Sequence, residues 1–185
     1  MINDVLDLSK VESGVLEIEE IECKPHVIAN DVASVLRVKA AEKGIGLNID
    51  VDGSIPTEIS SDPSRLRQIL TNLIGNAIKF TSEGEVKLQL STYSENEETY
   101  FKFNVIDSGI GMTEAQCGTI FEAFVQADTS ITRRFGGTGL GLSISKKLAV
   151  ALGGDITVSS VEGEGSEFLL CIPVQIVDDL SLIHI

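Results

Sequence analysis

The segment from Asp62 to Phe80 constrains the fold more than any other part of the chain. Asp62 is a favourable N-cap and Pro63 a favourable first helical residue, so the sequence predicts a helix that begins here and runs to about Phe80. At roughly 100° per residue and with Asn72 at 0°, one apolar group falls between about 60° and 160°. It consists of Leu66, Ile69, Leu70, Leu73 and Ala77. A helix with such a face packs on a second layer, which the rest of the chain must supply.

Alternating apolar residues predict the strands of that second layer. The predicted strands cover residues 16–23, 47–51, 57–60, 86–90, 101–105, 156–160 and 166–172. The polar loop Ser94–Glu98 and the Gly-rich turn Glu162–Gly165 join two pairs of them as hairpins.

Three further helices are predicted. The first begins at Pro25 and ends at Gly44, and four of its residues share one face: Ile28, Val32, Val35 and Leu36. A capping box of Thr113 and Gln116 begins a short helix that carries Ile120, Phe121 and Phe124. The last follows a loop over 128–138 and ends at Gly153. This order of elements predicts an α+β two-layer sandwich, in which a mixed, mostly antiparallel sheet is covered on one face by helices.

The charge excludes two classes of partner. Fourteen Lys and Arg face 28 Asp and Glu among 185 residues, for a formal net charge of −14. A sequence-independent grip on nucleic acid or on anionic lipid is therefore not expected. Cys23, Cys117 and Cys171 are widely spaced and odd in number, which favours reduced thiols over a disulfide or a zinc site. The sequence also shows no signal peptide and no apolar run long enough to cross a bilayer.

A polar stripe runs beside the apolar face of the long helix. Asn76 falls near 40° and Lys79 near −20° relative to Asn72. Asn is a weak helix former, so two of them one turn apart favour a binding site over an ordinary solvated face. The stripe therefore presents two amides and one ammonium group to a ligand.

A second candidate site follows the strand that ends near Ile106. In Asp107-Ser108-Gly109-Ile110-Gly111 a carboxylate precedes two glycines that let a ligand approach the backbone. An Asp oxygen accepts a hydrogen bond from the exocyclic amine of adenine, whereas guanine carries a carbonyl at that position. Taken alone, the segment is better explained as a simple Asp-Ser-Gly turn.

A third candidate site is a Gly-rich segment that opens the last predicted helix. It reads Gly136-Gly137-Thr138-Gly139-Leu140-Gly141-Leu142, and free N–H groups at such a helix start attract anions. Leu142 stands where a P-loop has Lys, which excludes that motif. The dinucleotide fingerprint also fails, because Leu142 and Ile144 occupy the two positions where its third Gly would fall.

Together these segments resemble the ATP-binding domain of sensor histidine kinases, in the wider family that includes gyrase B, the heat-shock chaperone ATPases and MutL. Residues 72–81 are similar to the N box and 107–111 to the first glycine box. Residues 120–124 are similar to the F box and 137–141 to the second glycine box. The four motifs follow the family's order and lie between about Cys23 and Pro173.

The resemblance implies a role for each matching residue. Asn76 would bind Mg²⁺, Lys79 a phosphate and Asp107 the adenine amine of ATP, with Asn72 beside them as a further catalytic residue. The remaining residues that the resemblance assigns to ATP binding are Phe80, Gly109, Gly111, Phe124, Arg134, Gly137, Thr138, Gly139, Leu140 and Gly141. Thr113 to Thr138 would form a mobile ATP lid with Phe121 and Phe124 as apolar anchors, and Arg133 and Arg134 are lid cations or plain solvated charges.

The ends of the chain carry their own expectations. Residues 1–14 are similar to the end of the second dimerisation helix of hybrid-type kinases, residues 15–175 to the catalytic domain, and 176–185 form a linker or a tail left from cloning. The acceptor histidine of the family lies in the first dimerisation helix, upstream of this sequence. Neither His26 nor His184 matches it, so the substrate histidine is expected on a helix absent from this chain.

Two alternatives to a kinase stay open at the level of the sequence. They are an ATPase that switches conformation and a non-catalytic nucleotide-binding module. Hydrolytic branches of the family place an acidic base one turn before the metal-binding Asn, whereas this chain has Asn72 there, and an amide takes no proton from water. The expected partners are the parent's dimerisation and phosphoacceptor helices and a receiver domain, with a homodimeric parent and a monomeric or weakly dimeric fragment. The expected location is the cytoplasm, and anchoring of the parent in the inner membrane is left open.

Overall fold

The computed structural model of the chain describes residues 16–123, 139–177 and 182–183, together with Ser9 and Gly14. Its helices are α1 (Pro25–Glu42), α2 (Pro63–Phe80), α3 (Glu114–Thr119) and α4 (Gly141–Ala151). Its strands are β1 (Ile21–Cys23), β2 (Gly46–Val51), β3 (Ile55–Pro56), β4 (Ile59–Ser61), β5 (Glu85–Glu95), β6 (Glu98–Asp107), β7 (Asp155–Val161), β8 (Gly165–Ile176) and β9 (Leu182–Ile183).

Seven of these strands form one sheet, in the order β1-β4-β8-β6-β5-β2 with β7 also beside β8. β8 is long enough for β7 to pair with its first part and β4 with its last part. β2 runs parallel to β5, and the other pairs of this sheet are antiparallel. β3 and β9 form a separate two-stranded sheet. The prediction of a mixed, mostly antiparallel sheet is confirmed.

The apolar face of α2 packs on this sheet as predicted. Its five predicted core residues are at most 3% exposed, and Ile74 and Ile78 are buried with them. The facing strand residues are fully buried: Val86, Leu88, Leu90, Phe101, Phe103 and Val105. Burial of each large apolar side chain stabilises the fold by about 1.5–3 kcal/mol, so this interface holds α2 firmly on the strands. α1 and α4 both pack against α2, which completes the predicted two-layer sandwich.

The start of α2 also agrees with the sequence. The Asp62 carboxylate accepts hydrogen bonds from the N–H groups of Ser64 and Arg65 at 2.9 and 3.0 Å, as an N-cap should. Its second oxygen accepts the N–H of Glu19 at 3.1 Å. The capping box of α3 is confirmed as well, since the side chains of Thr113 and Gln116 each accept the other residue's backbone N–H.

Val35 was wrongly placed on the buried face of α1. Its side chain is 72% exposed, whereas three alanines on the opposite edge of the predicted face are almost fully buried: Ala29, Ala33 and Ala40. The small alanines let α1 approach its neighbours closely, and this turns the helix so that Val35 lies beyond the edge of the contact.

Three boundaries also differ from prediction. β5 and β6 continue toward each other until only Asn96 and Glu97 remain between them. Both residues have positive φ, 51° and 68°, which suits the twist of a two-residue hairpin turn, so the predicted loop is shorter. α3 ends at Thr119, before Ile120 and Phe121. The strand expected over 16–23 forms only at Ile21–Cys23.

Some predictions fall outside the described residues. These are the helix over the first residues, apart from helical Ser9, and the loop over 128–138. Gly14 is described, and its φ of 68° is the left-handed conformation expected just past a helix end. The domain boundaries at 14 and 175 stay predictions, and β8 itself runs to Ile176.

Candidate functional site

A groove between α2 and α4 brings together several residues of the predicted site. Its volume is about 560 Å³, and it is lined by Ser64, Arg67, Gln68, Thr71, Asn72, Gly75, Asn76, Gly141, Ile144 and Ser145. The seven residues from α2 follow two rows with a spacing of four, which a helix places on one face. The polar stripe predicted at Asn72 and Asn76 therefore continues back to Ser64.

Asn72 is held in a fixed orientation by α4. Its Nδ2 donates a hydrogen bond to Ser145 Oγ at 2.9 Å. Gly141 leaves room for the other side of the amide, because a Cβ at this position would collide with Asn72 Oδ1. The chain thus places two residues of the predicted site, Asn72 and Gly141, in direct contact.

Asn76 lies in the same groove, one helical turn beyond Asn72. None of the ten described lining residues is Asp, Glu or His. The oxygen atoms available to a ligand there come from amides and hydroxyls. The described walls of the groove therefore offer hydrogen bonds and oxygen ligands but no group that removes a proton at neutral pH.

The end of α2 carries Lys79 and Phe80. The Lys79 ammonium lies 4.8 Å from the centre of the Phe80 ring, within the range of a cation–π interaction. Partial burial lowers the pKa of Lys79 below its usual value. Lys79 does not line the groove between α2 and α4. The predicted stripe is thus split, with its two amides in the groove and its ammonium group at the helix end.

Asp107 ends β6, and the residue as a whole is 7% exposed. Its Oδ1 accepts the N–H of Gly109 at 2.8 Å. Burial raises the pKa of Asp107 above its usual value, and hydrogen bonds from the backbone of Gly109 and Ser166 oppose the rise. Burial of a carboxylate at the end of a strand costs free energy unless its hydrogen bonding is completed, here by a donor from a ligand.

The loop after Asp107 is built against α2 and the turn between β7 and β8. A Cβ on Gly109 would lie 2.7 Å from the carbonyl oxygen of Phe80, so only glycine fits. Gly111 has φ 64°, and a Cβ there would collide with the carbonyl of Val161. Both predicted glycines are therefore required by close backbone approach, and they fix the Asp107 loop beside the end of α2.

The described part of the second Gly-rich segment leads into α4. Gly139 has φ 68°, which favours glycine. Leu140 is 2% exposed, so its side chain belongs to the core and only its backbone can meet a ligand. Leu140 is the N-cap of α4 and makes no side-chain capping hydrogen bond, and the N–H groups of a first helical turn have no partner within the helix.

Phe121 ties the beginning of the expected lid to the core. Its ring packs edge-on against Phe168, with centroids 6.4 Å apart. The Lys146 ammonium lies 5.0 Å from the Phe121 ring and also pairs with Asp155 at 2.6 Å. Five other residues of the predicted site and lid lie outside the described residues: Phe124, Arg133, Arg134, Gly137 and Thr138.

Several groove residues were not predicted from the sequence. Ser145 orients Asn72 across a sequence separation of 73 residues, which no local pattern reveals. Ser64 and Gln68 carry a signal that was available, since the spacing of four continues backward from Asn76 and Asn72, whereas Thr71 lies on the neighbouring row with Arg67 and Gly75.

Within the described part of the chain no group of three or more His, Cys, Asp or Glu side chains is arranged to hold a metal ion. A metal bound here would need ligands from the nucleotide and from water in addition to Asn76. Among the described helices, none is both long and apolar enough to cross a membrane.

Comparison with known proteins agrees with this arrangement. The family of histidine kinase-, DNA gyrase B- and HSP90-like ATPases matches residues 61–176. The chain is 41% identical over 169 residues to the signal transduction histidine-protein kinase BarA of Escherichia coli K12, covering 91% of this chain and 18% of BarA. It is 44% identical over 169 residues to the sensor protein GacS of Pseudomonas syringae pv. syringae, covering 91% and 19%. The chain thus spans less than a fifth of either relative.

Solved structures give the same result. The crystal structure of full-length ShkA in complex with AMPPNP superposes with a TM-score of 0.83 at 35% identity, covering 95% of this chain and 35% of ShkA. The histidine kinase AdeS of Acinetobacter baumannii shares the fold, with a TM-score of 0.70 at 24% identity over 96% of this chain and 77% of AdeS. The chain belongs to the histidine kinase-, DNA gyrase B- and HSP90-like ATPase family. Within that family it is an ATP-binding catalytic domain of the sensor histidine kinase class, which serves two-component signalling.

Proposed function

We propose that this domain binds Mg·ATP and transfers its γ-phosphoryl group to a histidine on a dimerisation helix elsewhere in the parent protein. The observation that carries the proposal is the absence of a carboxylate or imidazole among the described residues of the groove. The hydrolytic branches of the family resemble one another in having an acidic residue one turn before the metal-binding Asn. This chain has Asn72 at that position, and its side-chain amide donates a hydrogen bond to Ser145. Nothing described there activates water, so the nucleophile must be brought in by another part of the parent.

Asp107 accounts for the choice of base. Its buried carboxylate is an acceptor for the exocyclic amine of adenine, while the guanine carbonyl would face it with like partial charge. Oδ1 accepts the Gly109 N–H at 2.8 Å, which helps to fix the carboxylate, and both of its oxygens are acceptors in any orientation. Phe80 stands next to this loop, through its carbonyl's contact with Gly109, and is placed to border the base.

The triphosphate is assigned to the groove and the start of α4. The backbone N–H of Gly141 at the start of α4 and the positive end of the helix dipole suit phosphate oxygens. Lys79 supplies a cation at the end of α2. These groups offset the repulsion between a polyanionic nucleotide and a chain of net charge −14.

The residues present fit a magnesium ion that is bound together with the nucleotide. Asn76 contributes an amide oxygen, a ligand type that hard cations accept, and the groove around it is polar. When bound, the ion neutralises phosphate charge and orients the phosphoryl group for in-line attack. Asn76 holds the ion's position relative to α2, while Asn72, fixed by Ser145, gives a further polar contact in the groove.

In the transfer itself, an imidazole nitrogen of the acceptor forms a bond to the γ-phosphorus as the bond to the β–γ bridging oxygen breaks, and ADP leaves. The domain contributes position rather than covalent chemistry, and such positioning accounts for about 7–11 kcal/mol of a barrier. His26 lies in the first turn of α1 and is not among the described residues that line the groove, so it is not a candidate for the phosphate acceptor. We also propose the parent's own dimerisation helices and a receiver domain as partners, with the domain working in the cytoplasm as part of a homodimeric parent.

Calorimetry tests the binding half of this proposal. The domain should bind ATP with Mg²⁺ at least tenfold more tightly than GTP with Mg²⁺, and Asp107→Asn should abolish the preference. An Asn that keeps the Gly109 hydrogen bond through its oxygen presents its NH₂ group to the adenine amine, so the two donors oppose each other. Equal affinity of the unmodified domain for ATP and GTP would contradict the role of Asp107.

A further inference from the structure

Three backbone carbonyls at the end of α2 converge on one side chain from α1. Lys43 Nζ donates to the carbonyl oxygens of Ile78 at 2.6 Å, Lys79 at 3.0 Å and Thr81 at 2.5 Å. An ammonium group has three N–H donors, and here each donor has its own acceptor. The contact spans 35 to 38 residues of sequence and joins two helices that both end at this point.

Lys43 completes the hydrogen bonding of the helix end. The last carbonyls of a helix have no partner within the helix and need one elsewhere. The Ala77 carbonyl accepts from the N–H and the hydroxyl of Thr81, and the Phe80 carbonyl accepts the N–H of Ile110 at 3.3 Å. Lys43 donates to the three remaining carbonyls of this segment, those of Ile78, Lys79 and Thr81. Its charge lies at the negative end of the helix dipole.

The anchor of Lys43 is itself rigid. Lys43 is the C-cap residue of α1, and its N–H bonds to the carbonyl of Ala40. Gly44 follows with φ 70°, and Ile45 is 5% exposed in the core with its N–H also bonded to Ala40. The side chain therefore extends from a fixed backbone rather than from a loose loop.

We propose that Lys43 is a positioning residue for the adenine end of the nucleotide site. The inference rests on the proposed function. Lys43 holds the backbone of the segment that carries Lys79 and Phe80. The Phe80 carbonyl in turn lies against Gly109 and accepts the Ile110 N–H, so it sets the loop that orients the Asp107 carboxylate. Lys43 thus acts on base recognition indirectly, because it holds the end of α2 and the end of α2 in turn holds the loop after Asp107.

Most residues assigned to the triphosphate lie apart from Lys43; Lys79 lies on the segment that Lys43 holds, but it would serve the phosphates of ATP and GTP alike. Asn72, Ser145 and Gly141 contact one another in the groove about two turns earlier along α2. Lys43 forms none of its three hydrogen bonds to those residues. Removal of Lys43 should therefore disturb recognition of the base more than recognition of the phosphates.

The test is the ratio of ATP to GTP affinity in Lys43→Met, measured by calorimetry with Mg²⁺ well below the unfolding temperature. Met keeps the length of the side chain but has neither the charge nor the donors. The ratio does not change when a fraction of the protein unfolds, because both nucleotides bind the same folded population. Asp62→Ala is the matched control, since it removes the cap at the opposite end of the same helix.

We expect Lys43→Met to weaken ATP binding at least tenfold and GTP binding no more than threefold, while Asp62→Ala leaves the ratio within twofold of the unmodified value. A ratio in Lys43→Met within twofold of the unmodified value would overturn the inference. Lys43→Arg carries the same test if Lys43→Met does not fold. Arginine keeps the charge, but its planar guanidinium group cannot direct three donors from one nitrogen. The ratio of ATP to GTP affinity should therefore also fall. If the unmodified domain itself shows no preference for ATP, the role of Asp107 fails and this inference fails with it.

Discussion

Gly141→Ala tests whether the contact between α4 and Asn72 holds the groove together. Gly141 is the first residue of α4, so an alanine is favoured there by helix propensity, by about 0.5–1 kcal/mol at most. Its Cβ would collide with Asn72 Oδ1 and lie 3.1 and 3.2 Å from Asn72 Cγ and Nδ2. Asn72 must then rotate away, and its hydrogen bond to Ser145 is lost.

The expected size follows from these terms. Loss of the hydrogen bond costs about 0.5–1.5 kcal/mol, and overpacking costs about 1–3 kcal/mol. Set against the gain in propensity, the net destabilisation is about 0.5–4 kcal/mol, and a value of about 2 kcal/mol lowers Tm by roughly 4–8 °C for a chain of this size. ATP affinity should also fall, because Asn72 leaves its position in the groove.

Gly75→Ala is the matched control. Gly75 lies inside α2 on the same groove, but no atom lies within 4 Å of the position its Cβ would take. The same substitution should therefore stabilise the domain by about 0.5–1 kcal/mol and raise Tm. Thermal unfolding followed by circular dichroism without nucleotide measures both variants.

A double variant locates the effect. In an Asn72→Ala background the collision partner is gone, so Gly141→Ala should become neutral or stabilising, which is a coupling of more than about 1 kcal/mol. A Gly141→Ala variant as stable as the unmodified domain, or an equal cost in both backgrounds, would refute the account of this contact.

Three further outcomes are expected. Burial raises the pKa of Asp107, so its contribution to stability is present in acid and lost as pH rises through the folded-state pKa; Asp107→Asn should gain Tm relative to the unmodified apo domain as pH rises above about 4, the usual pKa of Asp, and no relative gain would contradict this. Asn72→Asp should raise ATP hydrolysis at least tenfold, toward the 10²–10⁴ typical of a general base, with Asn72→Ala as the control that gains nothing. Asn76→Ala should bind ATP equally in Mg²⁺ and in EDTA, whereas the unmodified domain should bind much more tightly in Mg²⁺; a persistent metal effect in the variant would remove Asn76 from the ion.

The sequence predicted well whatever depends on local spacing. The apolar face of α2, its Asp62 cap and the capping box of α3 are all confirmed, because each is decided within one or two helical turns. Most of the alternating strands are confirmed for the same reason, although the strand expected over 16–23 forms only at Ile21–Cys23. Even the groove had a local signal, in the spacing of four that continues from Asn76 back to Ser64.

What the sequence did not predict depends on contacts between distant segments. Ser145 meets Asn72 and Lys43 meets the end of α2 only because the helices pack side by side. Val35 was misplaced because the rotation of α1 is set by its alanines against the neighbouring layer rather than by its own apolar count. The hairpin loop at Ser94–Glu98 was predicted too long because neither Asn96 nor Glu97 is glycine, although both take positive φ.

Phosphotransfer measures the central claim most directly. The domain is incubated with Mg²⁺ and ATP labelled at the γ-phosphate, alone and with a separately prepared helical hairpin that bears the acceptor histidine. Acid-labile, base-stable label should appear on the hairpin and not on the domain, and release of free phosphate without the hairpin should be slow. A hairpin in which the acceptor histidine is replaced by glutamine should stay unlabelled. Rapid acid-labile labelling of the isolated domain, or rapid phosphate release with no acceptor present, would contradict the account.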